Sequence, residues 1–249
     1  MKHAIVRSPP SSFKRCISSH PLHNKLNITL ARKQHKEYCR ILSELGLDLI
    51  ELPIDEEHPD SCFVEDTAII FGEKAIITCM AKESRRGEDM QVEQVLRKYK
   101  HLSRIIVPGT IEGGDVAHLT DSLICGITER TNQEGVTQTT EFLKVRIEVI
   151  EDNSIVHLKS YLTFIDDENV VVSKRFAEHP VLHRYRQLIV PEDEEYAANT
   201  LTINGNVLMS SWHPKSIQMV KDAGFDVVTI DMSEFEKCEG AITCLSLVF

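Results

Sequence analysis

The sequence repeats one pattern of secondary structure four times, and this repeat limits the folds that the chain can adopt. Each unit has two short apolar segments joined by a turn, then a segment with helical spacing, then a third apolar segment. The paired segments begin near residues 67, 116, 161 and 200, at intervals of 49, 45 and 39 residues. Like units that recur at such a period are typical of linear or circular arrays.

Each unit is predicted from local signals. Asn204-Gly205, for example, lies between two apolar runs and is a strong hairpin signal. The predicted hairpins span residues 67–79, 116–127, 161–172 and 201–209; the helices span 87–99, 133–143, 175–183 and 214–222; the closing strands span 103–107, 145–150, 187–190 and 226–230.

The two ends of the sequence supply a fifth unit. Leu245–Val248 can pair with Ala4–Arg7, and a helix over 28–45 and a strand over 47–52 complete the set. Terminal strands that pair in this way would close the array into a ring and leave no open end. We therefore expect an α/β ring of five strand-strand-helix-strand units in a single domain over residues 1–249, with a generic α/β sandwich as the alternative.

The composition of the chain argues against nucleic acids and membranes as binding partners. With 42% hydrophobic residues, 27% charged residues and a formal charge of -10, the chain resembles an ordinary globular protein without the basic surface that nucleic acids or anionic membranes require. No apolar run approaches the roughly 18 residues of a membrane span. Seven cysteines without C-x-x-C spacing favour a reducing cytoplasm and argue against a structural zinc site.

The chemically distinctive residues fall in the links between one unit and the next. Equivalent links of a ring lie at the same end and point to its axis, so these side chains should converge in one pocket. The links carry Asp60, Phe63, Glu65, Asp66, Glu112, Asp115, His157, Asn199 and Cys244.

This set has the groups needed for covalent catalysis. Cys244 follows Gly240 and small residues that leave room for a substrate, and His157 and Glu112 could move and orient a proton. Taken singly, each has a simpler interpretation: Cys244 and His157 as packed core residues, and Glu65-Asp66 as a solvated pair. The excess of carboxylates favours a planar cation, and a guanidinium matches paired carboxylates. The residues alone therefore point to nucleophilic substitution at a guanidinium.

The same motifs resemble those of the dimethylarginine dimethylaminohydrolase (dimethylargininase) family of the guanidine-modifying, or pentein, superfamily. The resemblance covers essentially the whole chain, and it implies a five-bladed, pseudo-fivefold α/β propeller. The matching motifs are Phe63-Val-Glu-Asp66, Glu112-Gly-Gly-Asp-Val116, Arg130-Thr-Asn132, His157-Leu-Lys-Ser160, Ala198-Asn199 and Glu239-Gly-Ala-Ile-Thr-Cys244.

The resemblance also implies a reaction: hydrolysis of an N-omega-methylated arginine to citrulline and dimethylamine or methylamine, through a thiouronium intermediate and without a metal or organic cofactor. It implies Cys244 as nucleophile, His157 as general acid/base and Glu112 as their supporting carboxylate. The implied substrate contacts are Asp66 and Glu65 on the guanidinium, Arg85 and Arg130 on the α-carboxylate, Asp60 on the α-amino group and Phe63 on the pocket wall. Residues Ser11–His23 correspond to a mobile lid.

Several alternatives stay open at this point. The substrate could be free arginine, citrulline or another guanidino or ureido compound, as in an arginine deiminase-like enzyme, a citrulline hydrolase or an amidinotransferase. A non-catalytic arginine-binding protein is the alternative from a different class. The sequence does not decide between a monomer and a homodimer.

Overall fold

The computed structural model describes residues 2–249, which form five sheets of three strands each. The strands are β1 (His3–Arg7), β2 (Asp48–Leu52), β3 (Ala68–Phe71), β4 (Lys74–Ile77), β5 (His101–Arg104), β6 (Val116–His118), β7 (Ser122–Ile127), β8 (Arg146–Glu151), β9 (Leu162–Phe164), β10 (Asn169–Val172), β11 (Arg186–Ile189), β12 (Leu201–Ile203), β13 (Asn206–Ser210), β14 (Asp226–Ile230) and β15 (Ser246–Val248).

All five sheets have the same topology. The middle strand pairs antiparallel with the strand of its hairpin and parallel with the strand that follows the helical connection. In the sheet β3-β4-β5, for example, Ile76 lies opposite Ile69 in the antiparallel pair and opposite Ser103 in the parallel pair. The repeat seen in the sequence is therefore a repeat of one three-stranded unit.

The fifth sheet joins the two ends of the described chain. β1 is its middle strand, and Ile5 lies opposite Leu247 of β15 in an antiparallel pair and opposite Ile50 of β2 in a parallel pair. The expected ring of five units is confirmed, and the fold is an α/β propeller with pseudo-fivefold symmetry.

Four of the predicted helices form, the one expected in the third unit does not, and the short helix Ser233–Glu236 was not predicted. The five helices of the described residues are α1 (Ile28–Glu44), α2 (Met90–Leu96), α3 (Gln133–Leu143), α4 (Pro214–Asp222) and α5 (Ser233–Glu236). Helix α1 begins where the Asn27 side chain accepts hydrogen bonds from the Thr29 and Leu30 amides, and it ends before Gly46, whose φ is +92°.

The predicted helix over residues 175–183 is wrong. Only a 3₁₀ turn, Pro180–Leu182, forms there. Proline has no amide proton and disfavours helical dihedrals in the preceding residue, and His179 is extended with ψ of 130°. The helix predicted over 87–99 is shorter than expected because residues before Met90 form turns.

The core is divided among the units. Middle strands are almost fully buried, as in Val170–Val172, because they are covered on both faces. One apolar cluster joins Ile76 of the first hairpin unit to Leu123 and Val136 of the next. Each buried aliphatic side chain of this kind contributes about 1.5–3 kcal/mol, so apolar packing also holds neighbouring units together.

One end of the ring carries a 3₁₀ turn before the first strand of every sheet, and most successive turns contact one another. The turns are Val64–Thr67, Gly113–Asp115, Leu158–Ser160, Glu192–Ala198 and Thr243–Leu245. These are the links in which the distinctive residues were found, so the predicted convergence at one end is confirmed. Among the described residues, no helix combines the length and apolarity needed to cross a membrane.

Candidate active site

The 3₁₀ turns enclose a small cavity of about 40 Å³. Most of the predicted site residues line it: Asp60, Phe63, Asp66, Arg85, Arg130, His157 and Cys244. Glu112 lies behind His157, and Glu65 faces away from this cavity. The structure thus brings together residues that are separated by up to 184 positions in the sequence, from Asp60 to Cys244.

His157 and Glu112 form a largely buried polar pair beside the cavity. Nε2 of His157 lies 2.8 Å from Oε2 of Glu112, whose side chain has no exposed surface. Oε1 of Glu112 accepts a hydrogen bond of 3.1 Å from the Ala81 amide, which fixes the carboxylate. Burial lowers the pKa of His157, but the charge of Asp66 and the hydrogen bond to Glu112 outweigh it and raise the pKa to about 9. His157 is therefore an imidazolium at neutral pH.

Cys244 lies inside the last 3₁₀ turn, where its Sγ accepts a 3.4 Å hydrogen bond from the Ala241 amide. Burial and the negative charges of Glu65 and Asp66 raise the pKa of this thiol to about 12. Without a bound cation the side chain is thus a thiol. A positive group between Cys244 and Asp66 would favour the thiolate.

Two contacts stabilise the ionised carboxylate of Asp66. Oδ1 accepts the Gly114 amide at 2.9 Å, and Oδ2 pairs with Nη1 of Arg85 at 2.9 Å. Burial raises the pKa of Asp66, but the positive charges of His157 and Arg85 lower it by more than burial raises it. The net shift of this pKa is therefore downward. Gly114 is required here because a Cβ at that position would lie 2.7 Å from Nδ1 of His157 and 2.8 Å from Oδ1 of Asp66.

The two predicted arginines differ in their partners. Arg85 is committed to protein carboxylates: Nη2 lies 2.8 Å from Glu88 and Nη1 2.9 Å from Asp66. Arg130 is also buried, but its Nε and Nη1 have no hydrogen-bond partner within residues 2–249. These two nitrogens lie 3.9 Å from carboxylate oxygens of Glu112 and Glu129, too far for a hydrogen bond, and a buried guanidinium without full hydrogen bonding is costly. Arg130 is therefore the arginine with free capacity for an anion.

Asp60 and Phe63 complete the predicted residues that line the cavity. The carboxylate of Asp60 accepts the Ile17 amide at 3.2 Å through Oδ1. Phe63 packs so closely on Gly240 that a Cβ there would lie 2.2 Å from its ring. The glycine that precedes the nucleophile thus makes room for an aromatic wall.

The side chain of Glu65 does not line the small cavity that Asp66 lines. Its Oε1 pairs with Nζ of Lys159, and its Oε2 accepts a 2.7 Å hydrogen bond from the Thr243 hydroxyl. Glu65, Lys159 and Thr243 line a separate cavity of about 530 Å³. Adjacent residues of a tight turn point in different directions, so Asp66 faces the small cavity and Glu65 the large one. The predicted substrate contact of Glu65 stays a prediction, and both of its oxygens are occupied here.

Sequence reasoning missed one residue of the charge network. Glu88 is buried, and its carboxylate forms three hydrogen bonds with Arg85. Burial raises the pKa of Glu88 to about 7 despite the lowering effect of Arg85. The three-residue spacing from Arg85 to Glu88 was the available signal, because residues three apart meet on one side of a helical turn.

A metal could in principle be held by Asp66, Glu112 and His157, whose ligand atoms lie within 4.8 Å of one another. Each of these groups already has a partner, since Glu112 bonds to His157 and Asp66 to Arg85. The absence of a metal from the reaction stays a prediction.

A thiol, a charged imidazole and a buried carboxylate at the axis of five α/β units define the class of guanidine-modifying enzymes. The arginine deiminase family model matches residues 54–193. N(G),N(G)-dimethylarginine dimethylaminohydrolase of Pseudomonas aeruginosa is 34% identical over 100% of this chain and 99% of that protein. The chain belongs to the dimethylarginine dimethylaminohydrolase family.

Solved structures of dimethylarginine dimethylaminohydrolases are also similar to this chain. A cysteine-to-serine variant of the Pseudomonas aeruginosa enzyme in complex with citrulline has a TM-score of 0.96 and 33% identity, with 99% of this chain and 98% of that one covered. A histidine-to-glycine variant of a dimethylarginine dimethylaminohydrolase, described as an adduct with S-methyl-L-thiocitrulline, also has a TM-score of 0.96 and 33% identity, with 99% of both chains covered.

Proposed function

We propose that this protein hydrolyses N-omega-methylated arginine to citrulline and dimethylamine or methylamine, through a covalent intermediate on Cys244. The observation that carries the proposal is the meeting of Cys244, the His157–Glu112 pair and Asp66 around one enclosed cavity. Nucleophile, proton donor and cation-binding carboxylate are then within reach of one guanidinium carbon.

The substrate is held by charge at both ends. Asp66 faces the guanidinium, and Arg130, with two nitrogens that lack a hydrogen-bond partner, binds the α-carboxylate. Arg85 holds Asp66 in place and adds positive charge beside Arg130. Asp60 binds the α-amino group after it releases the Ile17 amide, and Phe63 forms the wall. The acidic residues around Cys244 thus select a cation.

The first half-reaction begins when the bound guanidinium offsets the negative charges that raise the pKa of Cys244. Because His157 already carries a proton, the thiol releases its own proton to solvent as the cation binds, and the thiolate attacks the guanidinium carbon. The bond from that carbon to the methylated nitrogen breaks, and this nitrogen takes the proton of the His157 imidazolium. Dimethylamine or methylamine leaves, and a thiouronium remains on Cys244.

The second half-reaction reverses the direction of proton transfer. His157, now neutral, removes a proton from water as the water oxygen attacks the same carbon. The carbon–sulfur bond breaks, citrulline forms and Cys244 is regenerated. Glu112 stabilises the imidazolium at both stages through its 2.8 Å hydrogen bond.

A second candidate is the deimination of free arginine, because the arginine deiminase family model also matches this chain. The two reactions share every step except the leaving group, which would be ammonia. Citrulline formation from asymmetric dimethylarginine and from arginine, measured side by side with wild type and Cys244→Ser, separates them.

Citrulline from the methylated substrate alone, lost in Cys244→Ser, is the expected result. Turnover of arginine alone would move the activity to deimination. No citrulline from either substrate with folded wild type would overturn both proposals. A single catalytic domain over residues 1–249, a cytoplasmic location and homodimer formation stay predictions.

A further inference from the structure

A segment near the start of the chain covers the active-site cavity. We name residues 11–23 the cover segment. The Ile17 amide donates to Asp60 at 3.2 Å, the Ser18 hydroxyl donates to the Lys237 carbonyl at 2.9 Å, and the Ser19 hydroxyl donates to Glu239 at 2.6 Å. These contacts fasten the cover segment to Asp60 in the first link and to the loop that leads to Cys244.

The cover segment has to move before a substrate can bind. The cavity beside Cys244 has about 40 Å³, which is close to the share of one water molecule, about 30 Å³. Pockets for small ligands usually have about 300–1,000 Å³. An amino acid with a guanidino side chain does not fit, so the structure shows a closed state.

One covalent bond also fastens the cover segment. Cys16 and Cys238 form a disulfide, with Cα atoms 6.0 Å apart and 222 residues between them in sequence. Cys16 lies immediately before Ile17 in the cover segment, and Cys238 lies six positions before Cys244. Unlike the hydrogen bonds, this bond does not break and re-form as the cavity opens.

A histidine accompanies the two sulfurs. A ring nitrogen of His23 and both Sγ atoms lie within 4.8 Å of one another. Nε2 of His23 is buried without a hydrogen-bond partner in the described part of the chain. An imidazole beside a thiol can accept its proton and so promote thiol–disulfide exchange. The three residues therefore form a site at which the disulfide can be made and broken.

We propose that Cys16 and Cys238 are a reversible redox-modification site that locks the active site closed when oxidised by a low-molecular-weight disulfide. The proposal concerns regulation of the site and rests on the proposed function. In a reducing compartment the pair is a dithiol, and the cover segment opens by breaking hydrogen bonds alone.

The Cys16–Cys238 disulfide forms by two successive thiol–disulfide exchange steps. The thiolate of one cysteine attacks the small disulfide, a mixed disulfide forms and one small thiol leaves. The second cysteine thiolate attacks the mixed disulfide on the protein sulfur, the Cys16–Cys238 bond forms and the second small thiol leaves. The two cysteines lose two electrons and two protons in total, and the small disulfide becomes two thiols.

The test compares initial rates of citrulline formation by wild type and Cys16→Ser, each equilibrated with reduced or with oxidised glutathione. We expect oxidation to slow wild type by about tenfold or more, because apparent affinity falls with the population of the open state. Dithiothreitol should restore the rate. Cys16→Ser retains Cys244 but lacks the tether, so its rate should not depend on the glutathione couple. Equal losses in both proteins would assign the effect to Cys244 and overturn the proposal.

A second measurement does not require activity. Hydrogen exchange of the amides of residues 17–20 is followed in Cys244→Ser under reduced and oxidised conditions, with the disulfide quantified by alkylation and mass spectrometry. Faster exchange after reduction supports the lock, and identical exchange in both states overturns it. If reduced wild type makes no citrulline, the proposed function fails, whereas the exchange experiment still decides whether the disulfide controls the cover segment.

Discussion

Nε2 of His157 and Oε2 of Glu112 lie 2.8 Å apart, with the glutamate side chain completely enclosed and that of the histidine 13% exposed. A carboxylate without access to water stabilises a neighbouring positive charge far more than it would at a surface. The pair therefore keeps a proton on His157 until a leaving group takes it. This relationship connects the fold to the pH behaviour of the enzyme, since the two residues come from consecutive links of the ring.

Glu112→Gln should lower kcat by about 10²–10⁴-fold, the usual contribution of general acid–base catalysis. The amide keeps the shape of the side chain but removes its charge, so the pKa of His157 should fall and the alkaline limb of the pH–rate profile should shift to lower pH. Steady-state kinetics over a pH series checks both effects. Glu141→Gln on the exposed face of α3 is the matched control. An unshifted profile would contradict the role of Glu112.

The stability of the protein should fall between about pH 6.5 and pH 9 because of His157. Its pKa is raised from 6.5 to about 9 in the folded state, so the folded state binds the proton more tightly than the unfolded state. The resulting stabilisation is complete below pH 6.5 and is lost as the pH rises through 9. A shift of this size corresponds to about 3 kcal/mol of unfolding free energy. Urea unfolding of wild type and His157→Gln at both pH values should show a flatter dependence for the variant; parallel curves would refute the assignment.

Arg130→Gln should raise KM for the methylated amino acid by about 10–100-fold, because a charge-assisted bond to the α-carboxylate contributes roughly 1.5–3 kcal/mol. Hydrolysis of a methylated guanidine without a carboxylate should be nearly unaffected by this substitution. Arg97→Gln, at a side chain that is 68% exposed, serves as the control. Equal losses with both substrates would show that Arg130 acts on the chemistry or on folding instead.

Gly240→Ala should destabilise the protein by about 1–3 kcal/mol, the usual cost of overpacking. The new methyl group would lie 2.2 Å from Cε1 of Phe63 and would force the ring or the loop to move. Combining Gly240→Ala with Phe63→Ala should cost less than the sum of the two single changes. Urea unfolding of the four proteins of this cycle provides the measurement, and strict additivity would exclude the contact as the cause.

Much of the fold was present in the sequence because the repeat constrains local and long-range structure together. Asn204-Gly205 requires a hairpin, and φ at these residues is +48° and +85°. Gln133–Leu143 was predicted with its observed ends, and the structure shows that the Asn132 side chain caps this helix by accepting a hydrogen bond from the Gly135 amide. Once five like units form a ring, the links that carry Glu112, His157 and Cys244 have to meet, so the candidate site followed from the topology.

Other features of the site depend on side-chain directions and long-range contacts, which the spacing of residues in the sequence does not reveal. Glu65 and Asp66 are adjacent in sequence, but the rotation of a tight turn sends them to different cavities. The pairing of Cys16 with Cys238 crosses 222 residues and has no local signal. The helix predicted over 175–183 is wrong for a local reason. Pro180 interrupts the segment, and only the 3₁₀ turn Pro180–Leu182 forms.

The position of β1 in the ring also affects how the protein is made. Among the described strands β1 is translated first, yet its antiparallel neighbour β15 is translated last. During synthesis Ala4–Val6 therefore keep an edge open to other chains, which is a risk for aggregation. Cys244 precedes β15 by two residues, so the strand that closes the ring also places the nucleophile at the cavity. Closure of the ring and placement of the nucleophile at the cavity are thus coupled.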